Sequence, residues 1–162
     1  MSAKYLTVLS DSHGNTHLIK KLQGDFYSSN YIIHLGDGAF DMQPYYFEFK
    51  DKLYLVDGNC DFVKLGLDEL ILKIEDIKVL IVHGHKFSVK HSLDSLVDYA
   101  ISKNCNLVLY GHTHIHKIDI IKGVYLVNPG TLSYSPNGQT IARIKIENST
   151  IEPKIIPIYK NF

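Results

Sequence analysis

Short apolar runs alternate with polar turns along this chain of 162 residues. Runs of this length that end at Gly, Asp, Asn or His are typical of buried strands. In the first part of the chain they predict strands at residues 5–10, 31–35 and 52–56. Residues 16–28 carry apolar side chains at helical spacing and predict a helix, whereas residues 41–49 are aromatic and irregular and predict a loop or short helix. Strand–helix–strand order is typical of a largely parallel sheet.

The second half of the chain adds hairpins and one further helix. Residues 67–74 and 77–82 flank Glu75-Asp76, which predicts a two-residue hairpin. Residues 92–103 have an amphipathic pattern that predicts a helix, with Ser92 as its N-cap. The remaining predicted strands are residues 107–110, 115–121, 124–128, 140–147 and 155–159, the last two antiparallel to each other. Because no linker or repeat interrupts the pattern, we expect one α/β domain over residues 1–162, with two packed sheets and helices outside.

The polar residues that follow the predicted strands share one chemical character. Five strand ends read Asp11-Ser12-His13, Gly36-Asp37, Gly58-Asn59, His83-Gly84 and Gly111-His112-Thr113-His114. Because the carboxyl ends of parallel strands meet at one edge of a sheet, we expect one common site there. The candidate ligands are Asp11, His13, Asp37, Asn59, His83, His112 and His114. They offer nitrogen and oxygen but no thiolate, which favours Mn, Fe, Zn, Ni or Co.

The number of candidate ligands indicates two metal ions. Seven ligands exceed what one catalytic ion needs and are too few for two complete octahedra, so two ions that share a ligand fit best. Taken singly, Asp11 and Asp37 could be caps, Asn59 a turn residue and His83 a hydrogen-bonded core histidine. The joint occurrence of these residues at successive strand ends favours the metal site over those separate explanations.

In this order, the motifs resemble those of the calcineurin-like metallophosphoesterase superfamily. The short chain and Gly58-Asn59-Cys60-Asp61 resemble its compact YfcE-like phosphodiesterase group. The resemblance implies a four-layer αββα sandwich of two mixed β-sheets flanked by helices. It implies one metal ion held by Asp11, His13 and His114, a second held by Asn59, His83 and His112, and Asp37 as the bridge.

The resemblance also implies an activity. A hydroxide held between two divalent ions, Mn first among the metals named above, would hydrolyse a phosphate diester, with Asp37, Asn59 and His83 as the catalytic protein residues. Asn59 and His85 would contact the phosphate, and Asp61 would orient a ligand histidine from behind. The family also includes dimers and tetramers, so a homodimer or homotetramer is an expectation.

Position 60 departs from the family pattern, because many members have histidine after Gly-Asn and this chain has Cys60. A thiol protonates an alkoxide poorly, so the site would favour esters with good leaving groups or use a metal-bound water as the acid. Alternatively, Cys60 is simply a small buried residue.

Three functions other than a phosphodiesterase stay open. They are a non-catalytic scaffold like the retromer subunit of this fold, a phosphomonoesterase, and a cyclic-nucleotide hydrolase.

Composition narrows the class of partner. Lys and Arg number 17 and Asp and Glu number 17, so the formal net charge of zero argues against a broad electrostatic contact with nucleic acid or an anionic membrane. No apolar run approaches the length of a membrane span, and the N-terminus has no signal-peptide pattern. The two cysteines form no disulfide framework. We therefore expect a cytoplasmic protein whose substrate is a small phosphate ester.

Overall fold

The computed structural model describes residues 2–158, in which two mixed five-stranded sheets pack face to face. The first sheet consists of β1 (Lys4–Leu9), β2 (Tyr31–His34), β3 (Leu53–Leu55), β9 (Thr140–Glu147) and β10 (Thr150–Pro157). Its order is β10-β9-β1-β2-β3; β1, β2 and β3 are parallel, and β9 is antiparallel to both of its neighbours.

The second sheet consists of β4 (Glu69–Ile74), β5 (Ile77–Val82), β6 (Leu107–Leu109), β7 (Lys117–Ile121) and β8 (Val124–Asn128). Its order is β4-β5-β6-β8-β7, with β5, β6 and β8 parallel and the two edge strands antiparallel to their neighbours. In each sheet, the three parallel strands have their carboxyl ends at the same edge.

Helices cover the outer faces of the two sheets. They are α1 (Thr16–Lys21), α2 (Gln23–Ser28), α3 (Tyr46–Phe49) and α4 (Asp94–Ser102), with 3₁₀ turns at Ala39–Tyr45 and His85–Phe87. Ile19 and Phe26 of α1 and α2 pack on the first sheet, and Leu96 of α4 packs on the second. A third apolar cluster lies between the sheets. The expected αββα sandwich is therefore confirmed. No helix within residues 2–158 is long and apolar enough to cross a membrane.

Several predicted elements differ at their ends. The helix expected over residues 16–28 is interrupted at Leu22, and the irregular stretch 41–49 is helical, partly 3₁₀. The prediction of Ser92 as the N-cap is wrong, because α4 begins at Asp94 and its N-cap is Leu93, although the Ser92 Oγ still accepts the N–H of Asp94 at 3.1 Å. The last strand begins at Thr150 rather than residue 155, and residue 159 lies outside the described part of the chain. Pro153 is tolerated there because β10 is an edge strand.

Candidate metal centre

The candidate ligands lie in the loops that follow β1, β2, β3, β5 and β6, which bring them to one edge of the sandwich. They form two groups of possible metal ligands. Asp11, His13 and His114 make up the first triad, and Asp37, His83 and His112 make up the second. In each triad the ligand atoms lie within 4.8 Å of one another. Asn59 joins the second triad, since its Oδ1 lies 3.1 Å from His83 Nε2.

Asp37 belongs to the second triad and also lies close to the first. Its Oδ2 is 3.4 Å from His83 Nε2 and 3.8 Å from His13 Nε2, while its Oδ1 accepts the backbone N–H of Cys60 at 2.8 Å. Burial acts to raise the pKa of this carboxyl, but His83 and the Cys60 N–H outweigh it and hold the pKa well below its usual range. Asp37 is therefore an anion with one oxygen directed at both triads.

Asp11 has a buried oxygen without a hydrogen-bond partner. Its Oδ2 accepts the Ser10 hydroxyl at 2.5 Å and the His112 N–H at 3.1 Å. Its Oδ1 is buried and receives no hydrogen bond within residues 2–158, although His114 Nε2 lies 3.1 Å away. A buried carboxylate oxygen left in this state costs free energy unless a cation balances it. Asp11 Oδ1 therefore fits the position of a metal ligand.

His83 presents one particular ring nitrogen to the centre. Its Nδ1 lies 2.7 Å from the Leu35 carbonyl, and because a carbonyl only accepts, we assign the proton to Nδ1 and the lone pair to Nε2. Three further potential metal-ligand atoms surround that Nε2. They are Asn59 Oδ1, His112 Nδ1 and Asp37 Oδ2, at 3.1, 3.2 and 3.4 Å. Ligand atoms about 2 Å from one ion would be separated by about 3 Å, so this spacing suits a shared cation.

His83 and His112, whose ring nitrogens lie 3.2 Å apart, have pKa shifts of opposite sign. Burial acts to lower the pKa of His83, but Asp37 and Asp11 outweigh it and raise the pKa above its ordinary value. Burial, followed by the charges of His83 and Lys90, lowers the pKa of His112 to about 4. His112 is therefore neutral at physiological pH and has a lone pair to offer a metal.

The backbone at these positions is strained. Asp11, His13, Asp37, His112 and His114 have positive φ angles of 53°, 43°, 55°, 70° and 60°. Residues other than glycine seldom adopt this region, and Asp and His are among the more tolerant. Such conformations persist only where the surrounding structure holds them, and they cluster at functional sites. Here the strain falls on five of the seven candidate ligands.

Asp61 lies behind the centre, but its contacts differ from the expectation. The family resemblance implies that Asp61 orients a ligand histidine, and that expectation is wrong. Its carboxylate instead accepts four backbone N–H groups, those of Asp37, Gly38, Ala39 and Gly58, at 2.7–3.2 Å. Asp61 therefore positions the backbone of the loops that carry Asp37 and Asn59.

Cys60 and His85 lie at the rim of the centre. Cys60 is exposed, so the interpretation of this residue as a small buried side chain is wrong. Burial and the Asp37 charge nevertheless raise the pKa of its thiol. His85 lies beside His83, with their ring centroids 5.3 Å apart, and its buried Nδ1 has no hydrogen-bond partner within residues 2–158. Burial lowers the pKa of His85, which leaves its ring mostly neutral.

Sequence reasoning missed a buried network that supports His13. Ser12 Oγ donates to Asp41 Oδ2 at 2.7 Å and lies 2.9 Å from His34 Nε2, and Asp41 Oδ2 also accepts the Gly14 N–H at 2.8 Å. His34 Nδ1 accepts the Gly36 N–H, so its Nε2 carries the proton and cannot act as a base for Ser12. The one available signal was the position of His34 at the end of β2, where it shares a face with the apolar Ile32.

Comparison with known proteins identifies the family. Residues 5–149 match the calcineurin-like phosphoesterase superfamily domain. This chain belongs to the calcineurin-like phosphoesterase superfamily. The probable metallophosphoesterase YsnB of Bacillus subtilis is 28% identical over 131 residues, which are 77% of this chain and 73% of that protein. A Methanocaldococcus jannaschii protein named as a phosphodiesterase is 28% identical over 141 residues, 76% of this chain and 81% of its own length.

Solved structures show the same fold. A Streptococcus pneumoniae protein described as a predicted phosphoesterase superposes with a TM-score of 0.82 at 22% identity, covering 97% of this chain and 91% of its own. A Vps29 mutant from Entamoeba histolytica superposes with a TM-score of 0.71 at 16% identity, covering 96% and 99%. At these identities the likeness concerns the fold alone. Membership of the family nonetheless implies divalent metal cofactors, and the two triads are the candidate ligands.

Proposed function

We propose that this protein is a dinuclear metal-dependent phosphodiesterase. The observation that carries the proposal is the position of Asp37 Oδ2, 3.4 Å from His83 Nε2 in one triad and 3.8 Å from His13 Nε2 in the other. Two ions close enough to act on one phosphate need such a shared anionic ligand, because the carboxylate offsets their mutual repulsion.

The two triads indicate how the ligands divide between two ions, with Asp37 shared and Asn59 added to the second set. Asp11, His13 and His114 would hold one ion, and Asn59, His83 and His112 the other. When bound, the divalent ions supply a lowered pKa for water and polarisation of the phosphoryl group. Manganese is our first candidate, and the nitrogen and oxygen donors also suit Ni, Fe, Zn or Co.

The remaining groups bind and orient the phosphate. Asn59 directs its Oδ1 at His83 and its Nδ2 toward Cys60 Sγ, 3.5 Å away on the exposed side, where an N–H can donate to a phosphate oxygen. His85, whose ring centroid lies 5.3 Å from that of His83, is the second side chain that we assign to the phosphate. Together with Asp37 and His83, these side chains surround the reacting phosphate.

Cys60 supports a diester with a good leaving group as the substrate. The thiol is exposed beside Asn59, and its raised pKa makes it a weak proton donor to a departing alkoxide. A leaving group that departs as a stable anion needs no such donor. The archaeal relative is named as a phosphodiesterase, which agrees with this preference.

The test is hydrolysis of a chromogenic aryl phosphodiester by metal-stripped protein, with Mn²⁺ added back and the matching monoester measured in parallel. We expect metal-dependent turnover of the diester that is lost in Asp37→Asn, with Asp51→Asn, at an exposed position, as the control. Metal titration should show two ions bound by wild type and by Asp51→Asn, and fewer ions bound by Asp37→Asn. Faster turnover of the monoester would reassign the substrate class.

The Vps29 likeness makes a non-catalytic scaffold the second candidate. The scaffold would be favoured if the folded, metal-loaded protein hydrolysed neither the diester nor the monoester with any first-row ion. A cyclic nucleotide assayed alongside the aryl diester separates the cyclic-nucleotide hydrolase from the general phosphodiesterase.

A further inference from the structure

β4 is an open edge strand without the proline, glycine or short length that protects many sheet edges. Within residues 2–158 it pairs with β5 on one side only. Its sequence, Glu-Leu-Ile-Leu-Lys-Ile, contains neither glycine nor proline. The edge strands of the first sheet differ, because β10 contains Pro153 and Pro157 and β3 has three residues. An open edge of six residues is a template for another strand, provided that the partner strand matches the charges of Glu69 and Lys73.

The hairpin register determines which backbone groups of β4 face outward. Ile74 and Ile77 flank the two-residue turn, and the closing pair of such a hairpin exchanges both ladder hydrogen bonds. Hydrogen-bonded positions alternate along an antiparallel ladder, so Leu72 and Leu70 also bond to β5. The N–H and C=O groups of Lys73, Ile71 and Glu69 are left for the open side.

The side chains of β4 indicate what would cover this edge. Leu70 and Leu72 are only partly buried, at the rim of the cluster between the sheets, and Ile71 is exposed on the other face. Lys73 lies opposite Lys78 of β5, a like-charged cross-strand pair. Lys73 has no ion pair within residues 2–158, and Glu69 has the Tyr99 hydroxyl as its hydrogen-bond partner there. β4 thus carries one negative residue, Glu69, two positions before Ile71 and one positive residue, Lys73, two positions after it.

We propose that β4 pairs antiparallel with β4 of a second copy of this chain, about a two-fold axis at Ile71. In that register each Glu69 lies opposite Lys73 of the other copy, and each Leu70 lies opposite Leu72. The outward-facing backbone groups of residues 69, 71 and 73 then meet as hydrogen-bonded pairs. The strand is self-complementary in charge, apolar contact and hydrogen bonding, which is what a two-fold interface requires.

The same register brings the second copy toward the metal centre. Continued beyond β4, it places the Glu75-Asp76 turn of one copy beside Leu67 of the other. Leu67 ends the loop that follows Asn59-Cys60-Asp61, in which Phe62, Val63 and Leu65 are exposed. The second copy would therefore cover apolar side chains next to the rim of the site.

The first test is the oligomeric state of the full chain by light scattering and sedimentation across a concentration series. We expect a dimer for wild type, a monomer for Ile71→Lys, and a dimer for Ile118→Lys on the other isoleucine-bearing edge, β7. Circular dichroism checks that each variant is folded. A monomeric wild type, or a dimer that Ile118→Lys disrupts and Ile71→Lys does not, would overturn the proposal.

A charge swap tests the register. Glu69→Lys and Lys73→Glu should each weaken self-association at least about tenfold, because each places like charges opposite each other twice per dimer. The double variant should restore association, since the opposite charges again face each other. In a Cys60→Ser background, Ile71→Cys should form a disulfide between copies under mild oxidation, whereas Lys73→Cys should not. Failure of the double variant to restore association, or equal cross-linking at residues 71 and 73, contradicts the register.

Discussion

The carboxylate of Asp61 accepts the backbone N–H of Asp37 at 2.8 Å and thereby joins the loop after β3 to the loop after β2. Both carboxylate oxygens are used, because Oδ1 accepts the N–H groups of Gly38 and Ala39 and Oδ2 accepts those of Asp37 and Gly58. The proposed shared ligand of the two ions therefore depends on a buried carboxyl group that belongs to neither triad.

Asp61→Asn should lower stability and metal affinity together. An amide nitrogen at either oxygen position would face two N–H donors, so we expect a loss of about 2–3 kcal/mol in the free energy of unfolding. Metal affinity should fall about 10- to 100-fold, as for other residues that hold ligands in place. Denaturant unfolding and metal titration measure the two effects, with Asp51→Asn as the control. Unchanged metal affinity in a destabilised Asp61→Asn would contradict the positioning role.

Asp11→Asn should separate the stability of the metal-free protein from its stabilisation by metal. Wild type should gain about 3 kcal/mol at a metal concentration a hundredfold above Kd. Because Asp11 Oδ1 has no hydrogen-bond partner within residues 2–158, we expect the metal-free variant to fold and to lose most of that gain. Thermal melts with chelator and with Mn²⁺ check this. A variant that retains the full Mn²⁺ shift would remove Asp11 from the ligand set.

Gly58→Ala should abolish activity for a steric reason. A Cβ at position 58 would lie 2.1 Å from Asp37 Oδ1, and 2.6 Å from the Asp37 backbone nitrogen, so Asp37 would have to move. Gly24→Ala is the matched control, since a Cβ there meets nothing within 4 Å and Gly24 lies inside α2. The control should gain up to about 1 kcal/mol, because alanine favours a helix over glycine. Equal diester activity in the two variants would contradict the placement of Asp37.

His34 should make stability depend on pH. Burial lowers its pKa from 6.5 to about 4 in the folded chain. The unfolded chain therefore binds a proton at His34 between pH 6.5 and 4 and the folded chain does not, so stability falls as pH drops through that window. A shift of this size corresponds to about 3 kcal/mol. His34→Asn, which keeps an acceptor for the Gly36 N–H, should have a flatter pH dependence in denaturant unfolding between pH 4 and 7. Parallel curves would show that another group is responsible.

Some elements depend on contacts that the local sequence does not report. Apolar periodicity continues through Leu22, yet the helix is interrupted there, because α1 and α2 pack as separate segments on the first sheet. The sequence predicts that the last strand begins at residue 155, whereas β10 begins at Thr150 and includes Pro153, which its edge position permits. Asp61 and His34 were visible as polar residues near the motifs, but their partners come from other strands and turns.

The sequence by itself determined the order of the strands that carry the site, the seven candidate ligands and the family, because a period of two, a glycine turn and the chemistry of a side chain are local properties. The tertiary structure decided which ligands come together in each triad, that Asp37 of the second triad also approaches His13 of the first, and which nitrogen of His83 faces the centre. Those relations join loops of two different sheets. They follow from how the sheets pack and where buried hydrogen bonds are satisfied, and no segment of the chain contains that information alone.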